Sequence, residues 1–393
     1  MSFDDGQDVV IEDGVIVALE RNARQGDVDI DAAGRFVVPG LLDAHVHFRL
    51  ATMNFRALER WSEVEYGIVM ARLARETVER GFTTVRDLGG DVTGLIGAIR
   101  SAHTPGPRIV RAGHMISQTG GHGDTTGGHL DVPTCACSLR SNHFSIVADG
   151  SDAVRKAARH LLRDGSDFLK IHVSGGVASP TDPLESIQFT PEEIAAVVTE
   201  AVHRGTYVAA HAYSTESIAM AVDSGVKSVE HANLIDVATA RKVVEHGAVV
   251  VPTLVTYKAM NDHGAALGLP RRNLEKNLVI FESGLASVET MVGEGVVLGF
   301  GTDLIGEQQK QQNDELRIRA EVQPAVDVLR SMWQVNPRLM RLEGKVGTVT
   351  PGAFGDVLVS RVNPIEDIGA FADSSRSISH VVQAGAIVVN RPA

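Results

Sequence analysis

The sequence predicts an α/β fold in which a (β/α)8 TIM-type barrel carries a small β-sandwich domain built from both chain termini. Short β-branched runs alternate with segments of helical period through the middle of the chain, and further strand-like runs occur at both ends. The length points the same way. The 393 residues exceed the ~100–200 of a typical domain, whereas a barrel holds roughly 250 residues as one unit.

Eight runs of strand-like sequence mark the predicted barrel. Most are nearly continuous apolar stretches, which is typical of parallel strands buried on both faces. They lie at residues 41–47, 83–87, 108–112, 168–173, 207–211, 228–231, 248–253 and 296–302. An open, doubly wound sheet is the alternative, but no G-x-G-x-x-G phosphate loop follows any of these runs. The pattern therefore favours the barrel.

Helices are predicted between the strands. Residues 64–80 and 152–163 carry apolar side chains at helical spacing. A third helix, Pro191–His203, follows Thr190 as its N-cap and has Glu193 at the third helical position. This is a capping-box pattern with proline in the first helical position, so it predicts a sharp helix start.

The two chain ends differ from the barrel region and are expected to pair with each other. Strand-like runs lie at 9–18 and 32–38 before the barrel, and at 346–349, 356–360 and 380–390 after it. Within the last run, Gly385 is predicted to mark a turn or bulge. These runs predict a composite β-domain of residues 1–40 and 340–393, with the barrel at 41–339.

Composition and charge narrow the function classes. The chain has 37 Lys and Arg against 49 Asp and Glu, a formal net charge of −12. Such a surface repels polyphosphate and anionic lipid, so neither nucleic acid nor a membrane is an expected partner. The N-terminal sequence has no basic segment followed by an apolar core, as a signal peptide would. We expect a cytoplasmic protein that acts on a small molecule and forms a homo-oligomer.

Residues with metal-binding chemistry lie at the carboxyl ends of the predicted strands, where barrel active sites are found. His45 and His47 are two residues apart, so their side chains share one face of the first strand. The other candidates are Lys170, His211, His231 and Asp303. Imidazole and carboxylate ligands together favour zinc, with manganese, iron and cobalt as alternatives. For Lys170, a Schiff-base amine is the alternative role.

Neighbouring residues are expected to shape this site. His172 lies two residues beyond Lys170 and should share its inward face, where it is a candidate contact. Residues 113–149 form a long excursion whose length suggests a lid. Arg86 and Asp87, at the end of the second strand, are expected to form a structural ion pair.

Several segments resemble the signature of the amidohydrolase superfamily, in the same chain order. They are VPGLLDAHVH at 38–47, LKI at 169–171, AHA at 210–212, EHA at 230–232, GTD at 301–303 and GTVTPGAFGD at 347–356. The resemblance covers nearly the whole chain and its combined motifs are highly specific. It implies a barrel hydrolase with two divalent metal ions, Zn²⁺ being the expected metal.

The resemblance also implies a role for each candidate residue. In the binuclear members a carboxylated lysine on the fourth strand bridges the two metals, and this role passes to Lys170. By resemblance the other ligands are His45, His47 and Asp303 for the more buried metal, and His211 and His231 for the second. Two cations ~3.5–4 Å apart activate a bridging water, and the resulting metal-bridged hydroxide attacks the polarised carbonyl. Asp303 would shuttle the water's proton to the leaving nitrogen. We therefore expect Asp303, Lys170 and His231 to be catalytic.

A closer resemblance is to the binuclear dipeptidase and carboxypeptidase group, which includes prolidase-like members and ochratoxin-hydrolysing amidohydrolases. It rests on QTGGHGD at 118–124, SGGV at 174–177 and HAYSTE at 211–216. In that group a glycine-loop histidine and a tyrosine hold the substrate's α-carboxylate, which here implies His122 and Tyr213. The implied reaction cleaves the amide to a C-terminal amino acid. Its substrate would be a dipeptide, an Xaa-Pro-like compound, or an N-acyl or N-aryl amino acid such as ochratoxin A.

Other functions stay open on the sequence alone. Imidazolonepropionase-like hydrolases, which open cyclic amides, have a similar length and similar end domains but are typically mononuclear. Deaminases of the superfamily place a glutamate where this chain has Ser214, so deamination is disfavoured. A lyase could use Lys170 as a Schiff-base amine. A non-catalytic binding protein would not require all six ligand positions to be occupied.

Overall fold

The computed structural model describes residues 6–23, 26–58, 60–124, 140–141, 144–179 and 182–391. The strands, numbered in chain order, are β1 (Asp8–Glu12), β2 (Val15–Glu20), β3 (Phe36–Pro39), β4 (Leu41–Val46), β5 (Phe82–Asp87), β6 (Arg108–Arg111), β7 (Met115–Ser117), β8 (Arg140–Ser141), β9 (Ser145–Val147), β10 (Leu169–His172), β11 (Val208–Ala212), β12 (Ser228–His231), β13 (Val249–Val251), β14 (Val297–Leu298), β15 (Val357–Ser360), β16 (Ile378–Gln383) and β17 (Ala386–Asn390).

The helices lie mainly between the parallel strands. They are α1 (Phe55–Leu58), α2 (Glu63–Glu79), α3 (Thr93–Arg100), α4 (Ser151–Arg163), α5 (Pro191–His203), α6 (Thr215–Asp223), α7 (Val237–Glu245), α8 (Leu254–His263), α9 (Arg271–Gly293), α10 (Asp314–Ala320), α11 (Ala325–Arg330), α12 (Asn336–Leu339), α13 (Ile368–Phe371) and α14 (Ser374–Ser377), with a 3₁₀ helix at Gly306–Gln311 and a π-helix at Ser331–Val335. Within the described ranges, no helix combines the length and apolar character needed to cross a bilayer.

The barrel is formed by parallel strands in chain order. β4, β5 and β6 form one ladder, and β7, β10, β11, β12, β13 and β14 form the other. β6 belongs to the first ladder and β7 to the second, and the two strands follow one another in the chain. At the other seam, the Ala44 N–H donates to the Phe300 carbonyl at 2.8 Å, and the Asp303 N–H donates to the His45 carbonyl at 2.7 Å. The segment that follows β14 is thus hydrogen-bonded to β4, and these bonds join the two ladders at this seam.

The helix start predicted before α5 is confirmed. Thr190 Oγ1 accepts the Glu193 N–H at 3.3 Å, and the Glu193 carboxylate accepts the Thr190 N–H at 2.7 Å. This reciprocal pair satisfies backbone donors that a helix end leaves without partners. The predicted bounds of α2 and α4 also agree with the structure to within one residue at each end.

Both chain ends contribute to one antiparallel sheet. β3 pairs with β15, which is followed by β16 and β17. The β1–β2 hairpin packs on this sheet through a small apolar cluster that includes Ile16, Ala353, Val357 and Val382. This is the β-sandwich expected from the sequence. Its division from the barrel at residues 40 and 340 stays a prediction, because Leu358 and Ile378 belong to the barrel's own core cluster.

Some terminal strands differ from the prediction because turns interrupt them. The run at 9–18 is a hairpin rather than one strand, since Asp13 and Gly14 adopt φ values of 47° and 78°. The run at 380–390 is likewise split into β16 and β17 at Gly385, which makes the predicted turn. The strand predicted at 346–349 is wrong, and Val346 instead packs in the core without strand pairing.

The predicted lid at 113–149 is partly sheet. β7 pairs with β10 on one side and β9 on the other, and β8 pairs with β9. These strands have only two or three residues each, too few to show a periodic pattern in the sequence. The rest of the predicted lid, at 125–139 and 142–143, lies outside the described residues.

A buried acid in α10 gives the fold a testable pH dependence. Glu315 is fully buried, and its Oε2 accepts the Val255 N–H at 2.6 Å. Burial raises the pKa of Glu315 to about 8, although Arg319 and backbone donors oppose the shift. Between its ordinary pKa of 4.5 and about pH 8, the unfolded chain releases this proton and the folded chain keeps it. Glu315 therefore makes the protein less stable as pH rises through this window.

We predict that Glu315→Gln removes this loss, because glutamine keeps an oxygen acceptor and cannot ionise. The free energy of unfolding of the variant, relative to wild type, should rise between pH 5 and pH 8.5 by up to about 1.4 kcal/mol per pH unit. Urea unfolding at several pH values measures this. Glu321→Gln, the same substitution at an exposed position six residues later in the chain, serves as the control. A pH-independent difference between Glu315→Gln and wild type would contradict the prediction.

Candidate active site

The residues predicted to bind metal meet at the carboxyl ends of the barrel strands. β4 carries His45 and leads to His47, while the other strands contribute one residue each. These are Lys170 on β10, His211 on β11, His231 on β12 and Asp303 after β14. The lysine and the histidines are buried, and the Asp303 side chain is 18% exposed. The barrel thus gathers the predicted set in one place, although its residues are spread over 259 positions of sequence.

Asp303 lies at the centre of the first group of side chains. Its Oδ1 is 3.3 Å from His45 Nε2 and 3.2 Å from His47 Nε2. Within the described part of the chain, His45, His231 and Asp303 have ligand atoms that all lie within 4.8 Å of one another. Two imidazole nitrogens and a carboxylate oxygen at these separations could hold a divalent metal ion.

A second carboxylate orients His45 from behind. Glu230 Oε2 is 2.8 Å from His45 Nδ1, and Glu230 Oε1 accepts from Arg86 at 2.8 Å and from Ser228 at 2.6 Å. A carboxylate can only accept, so His45 carries its proton on Nδ1 and directs Nε2 toward Asp303. Burial alone would raise the pKa of Glu230, but Arg86 and His45 outweigh it and hold the pKa near 2. Glu230 is therefore a charged outer partner of a candidate metal ligand.

The ion pair expected between Arg86 and Asp87 is not the one that forms. Neighbouring residues on a strand point to opposite faces, and Arg86 points into the barrel toward Glu230. Asp87 instead accepts the backbone N–H groups of Phe48 at 2.9 Å and Gly89 at 3.1 Å. Burial raises the pKa of Asp87 to about 7. Asp87 therefore organises the loops after β4 and β5.

The hydrogen bonds of His211 and His231 also decide which nitrogen faces the site. His211 Nε2 is 3.0 Å from the Gly175 carbonyl, which accepts, so Nδ1 is left for a ligand. His231 Nδ1 lies 2.8 Å from Thr253 Oγ1 and 2.9 Å from Tyr257 Oη, so its Nε2 is the nitrogen left. The two rings are 4.6 Å apart. Burial lowers the pKa of both histidines well below the ordinary value, which leaves them in the neutral form that binds metals.

Lys170 is buried among these groups. Burial lowers its pKa to about 8, against the opposing charges of Glu230 and Asp303. A lysine in this position is neutral to a far greater extent at pH 7–8 than an exposed one. This property fits either reaction expected of it, since both carboxylation and Schiff-base formation need a neutral amine.

The backbone at the ends of β12, β13 and β14 is in an unusual conformation. His231, Thr253 and Asp303 have φ values of 79°, 52° and 53°, in the left-handed region that residues other than glycine rarely occupy. Each such residue costs on the order of 1–3 kcal/mol and persists where its surroundings over-determine it. All three belong to the candidate site or contact it, so the conformation aims their side chains at the common centre.

The two predicted carboxylate-binding residues lie beside His211. The His122 ring stacks on the His211 ring at 4.4 Å, and Tyr213 meets His211 at 4.7 Å and His231 at 5.1 Å. Sequence reasoning missed Tyr257, whose Oη is 2.9 Å from Tyr213 Oη. A signal was present, because Tyr257 lies one helical turn after Thr253 at the carboxyl end of the seventh barrel strand.

His172 occupies the inward position expected for it. Its ring lies 5.1 Å from His122 and 5.5 Å from His211, and it is 3% exposed. Its Nδ1 has no hydrogen-bond partner among the described residues. Burial lowers the pKa of His172 well below the ordinary value, so the ring is neutral. It forms part of the wall around His122 and His211.

Comparison with known proteins agrees with this geometry. The model of the amidohydrolase family matches residues 36–388. Ochratoxinase from Aspergillus niger is 27% identical over 363 residues, covering 89% of this chain and 75% of the ochratoxinase. A crystal structure of a prolidase complexed with N-methylphosphonate-L-proline is 40% identical with a TM-score of 0.93, covering 98% of this chain and 95% of that one. A Xaa-Pro dipeptidase with bound methionine is 29% identical with a TM-score of 0.86, covering 96% and 94%.

The fold, the site and these matches together define the class: the chain belongs to the amidohydrolase family. Its similarity to a prolidase and to ochratoxinase supports the prolidase-like group that the motifs predict. The protein is therefore an enzyme that hydrolyses amide bonds. The family is generally metal-dependent, and the histidine–aspartate group at the strand ends provides suitable ligands.

Close packing around His122 yields a test of the site's geometry. A Cβ on Gly176 would lie 2.1 Å from His122 Cε1, whereas a Cβ on Gly67, in the exposed face of α2, would contact nothing within 4 Å. We predict that Gly176→Ala displaces the His122 ring. The kcat/KM for amide-bond hydrolysis should fall by at least about tenfold, because a misplacement of about 1 Å in an active site can lower the rate a hundredfold. Gly67→Ala should keep full activity and gain up to about 1 kcal/mol of stability.

Steady-state hydrolysis and thermal unfolding of both alanine variants measure these effects. A Gly176→Ala enzyme with wild-type activity and stability would show that His122 does not need its observed position.

Proposed function

We propose that this enzyme is a binuclear metal-dependent amidohydrolase that cleaves the amide bond to a C-terminal amino acid. Its substrate would be a dipeptide, an Xaa-Pro-like compound, or an N-acyl or N-aryl amino acid. The observation that carries the proposal is the placement of His122 and Tyr213 against His211 and His231. Donors for a carboxylate therefore lie next to nitrogens suited to metals.

The proposed metal ligands fit a binuclear centre by their donor chemistry. Each of His45, His211 and His231 has one ring nitrogen hydrogen-bonded to an outer partner, which leaves the other nitrogen as the candidate metal ligand. We assign His45, His47 and Asp303 to one ion, His211 and His231 to the second, and a carboxylated Lys170 as the bridge. The compact trio of His45, His231 and Asp303 includes residues of both sets, whose ligand atoms lie within 4.8 Å of one another. Two bound Zn²⁺ ions would supply an activated water and polarise the scissile carbonyl.

Asp303 is the proposed proton shuttle. Burial would raise its pKa, but His45 and His47 hold the pKa well below the ordinary value, so the side chain is a carboxylate at neutral pH. A general base must be in this form, and the Asp303 side chain is partly exposed while the histidines beside it are buried. It would accept a proton from water and donate it to the leaving nitrogen. His231 and Lys170 complete the proposed catalytic set.

His122 and Tyr213 are proposed to hold the free carboxylate of the substrate. Both can donate a hydrogen bond, and both are fixed by other side chains. His122 Nδ1 lies 3.0 Å from Ser179 Oγ, which leaves Nε2 to face a ligand, and Tyr213 Oη is held by Tyr257. A hydrogen bond to a charged group contributes about 1.5–3 kcal/mol, so each donor should discriminate an acid from a neutral amide.

The metal proposal predicts that Lys170→Ala loses at least one of two metal equivalents, because the variant lacks the bridging group. Amide hydrolysis should fall by about a hundredfold or more, beyond the 10- to 100-fold typical of outer-shell changes. Elemental analysis after dialysis measures the metal content. Lys242→Ala, at a partly exposed position on α7, is the control and should keep wild-type metal content and activity. Full metal occupancy and full turnover in Lys170→Ala would refute a lysine-bridged centre.

The substrate proposal predicts a specific loss in Tyr213→Phe and His122→Gln. On a substrate with a free C-terminal carboxylate, each variant should lower kcat/KM by roughly 10- to 150-fold, which corresponds to one charge-assisted hydrogen bond. On the matched C-terminal amide, which wild type should hydrolyse poorly, neither variant should change the rate much. Dipeptides and N-acyl amino acids, each paired with its amide, provide the comparison, with products identified by mass spectrometry.

If wild type hydrolyses acid and amide equally well, the carboxylate proposal is wrong. A cyclic-amide hydrolase would then be the better description, and imidazolone-type rings would be the substrates to test.

A further inference from the structure

The buried face of α9 carries polar residues where a barrel helix ordinarily carries apolar ones. Asn273, Lys276 and Asn277 are spaced to lie on one side of the helix, and their exposures are 1%, 8% and 1%. Asn273 and Lys276 face the loop between β10 and α5, residues 173–190, of which 180–181 lie outside the described residues. A buried ammonium is costly to desolvate, so a lysine here calls for a reason beyond packing.

Lys276 uses all three of its donors on carbonyls of this one loop. Its Nζ donates to Gly176 at 2.7 Å, Ser179 at 2.8 Å and Asp182 at 2.6 Å. Asn273 adds bonds from its Nδ2 to the carbonyls of Val177 at 2.6 Å and Ala178 at 2.9 Å. The backbone of the loop is thus held to α9 through side chains rather than through secondary structure.

The same stretch of loop surrounds His122. Ser179 Oγ lies 3.0 Å and Asp182 Oδ2 3.5 Å from His122 Nδ1, and Gly176 lies directly against the ring. Gln188, near the end of the same loop, also contacts His122: its Oε1 accepts the backbone N–H of His122 at 2.9 Å. The three residues whose carbonyls bind Lys276 are therefore also in contact with His122.

The helix reaches the second proposed carboxylate donor as well. Asn277 Nδ2 donates to the Tyr257 carbonyl at 3.0 Å, and Tyr257 Oη is 2.9 Å from Tyr213 Oη. One face of α9 thus contacts the supports of His122 and of Tyr213. Tyr257 also contacts His231 and the loop residue Gly175 also contacts His211, whereas the described contacts of Lys276 itself include none of the proposed metal ligands.

We propose that the polar face of α9 is the positioning element of the carboxylate subsite, with Lys276 as the residue that fixes His122 through the β10–α5 loop. This inference rests on the proposed function, since it assigns a task to residues around the proposed substrate carboxylate. It separates two tasks in the molecule. The strand ends hold the proposed metal ligands, and Lys276 with Asn273 on α9 sets the affinity for the acid end of the substrate through the loop around His122.

Lys276→Met tests this inference, because methionine has a similar length and cannot donate. On a free-acid substrate, KM should rise about 10- to 100-fold while kcat changes less than about threefold, as expected when a binding group shifts by about 1 Å. Hydrolysis of the matched C-terminal amide and the metal content should stay at wild-type values. Amide hydrogen exchange in residues 174–179 and 182–188 should become faster. Lys258→Met, on the exposed side of α8, is the control and should change none of these.

Asn273→Ala provides a milder second variant that keeps the ammonium and removes only the neighbouring amide. It should give the same pattern with a smaller rise in KM, about 3- to 10-fold. If Lys276→Met does not fold, Asn273→Ala alone tests whether α9 positions the carboxylate subsite.

The possible failures are distinguishable. Equal wild-type rates on acid and amide would overturn the proposed function and this inference with it. A wild type that prefers the acid, combined with variants that keep its KM or that slow acid and amide hydrolysis equally, would overturn the inference alone.

Discussion

The arrangement of the site depends on the buried carboxylate of Glu230. It lies between the guanidinium of Arg86 and the ring of His45, and so links β12 to β5 and β4 inside the barrel. A buried charge is tolerated only where its partners satisfy it, and Ser228 completes that set. Because Arg86 also donates to the Ala44 carbonyl at 2.6 Å, the strand that carries His45 is held through both its backbone and its side chain.

Unfavourable backbone conformations and very close packing are concentrated at the end of the barrel that carries the site. His231 and Asp303 adopt left-handed backbone conformations there, and a Cβ on Gly301 would lie 2.8 Å from the Cβ of His45. Such features are unfavourable one by one and persist because the surrounding strands leave no alternative. Rigid strands thus hold side chains in positions that a loop could not maintain.

Elements outside the strands control how the site meets its substrate. Tyr257 on α8 links Tyr213 to His231, and Lys276 on α9 holds the loop around His122. Membership of the amidohydrolase family accounts for the barrel and for amide hydrolysis, whereas in the proposed function the preferred amide depends on these supports. The substrate proposal therefore follows from contacts made by helices and loops, and the family assignment follows from the strands.

The sequence by itself determined the order of the eight main barrel strands and the positions of the candidate ligands. Apolar runs, the Thr190 cap and the two-residue spacing of His45 and His47 are local patterns, and local geometry decides them. Only the tertiary structure decided that Arg86 pairs with Glu230, 144 residues away, rather than with its neighbour Asp87. That choice depends on which strands are adjacent and on their register, and no local pattern contains either. The lysine on α9 was missed for the same reason, since its partners lie on a loop about a hundred residues earlier.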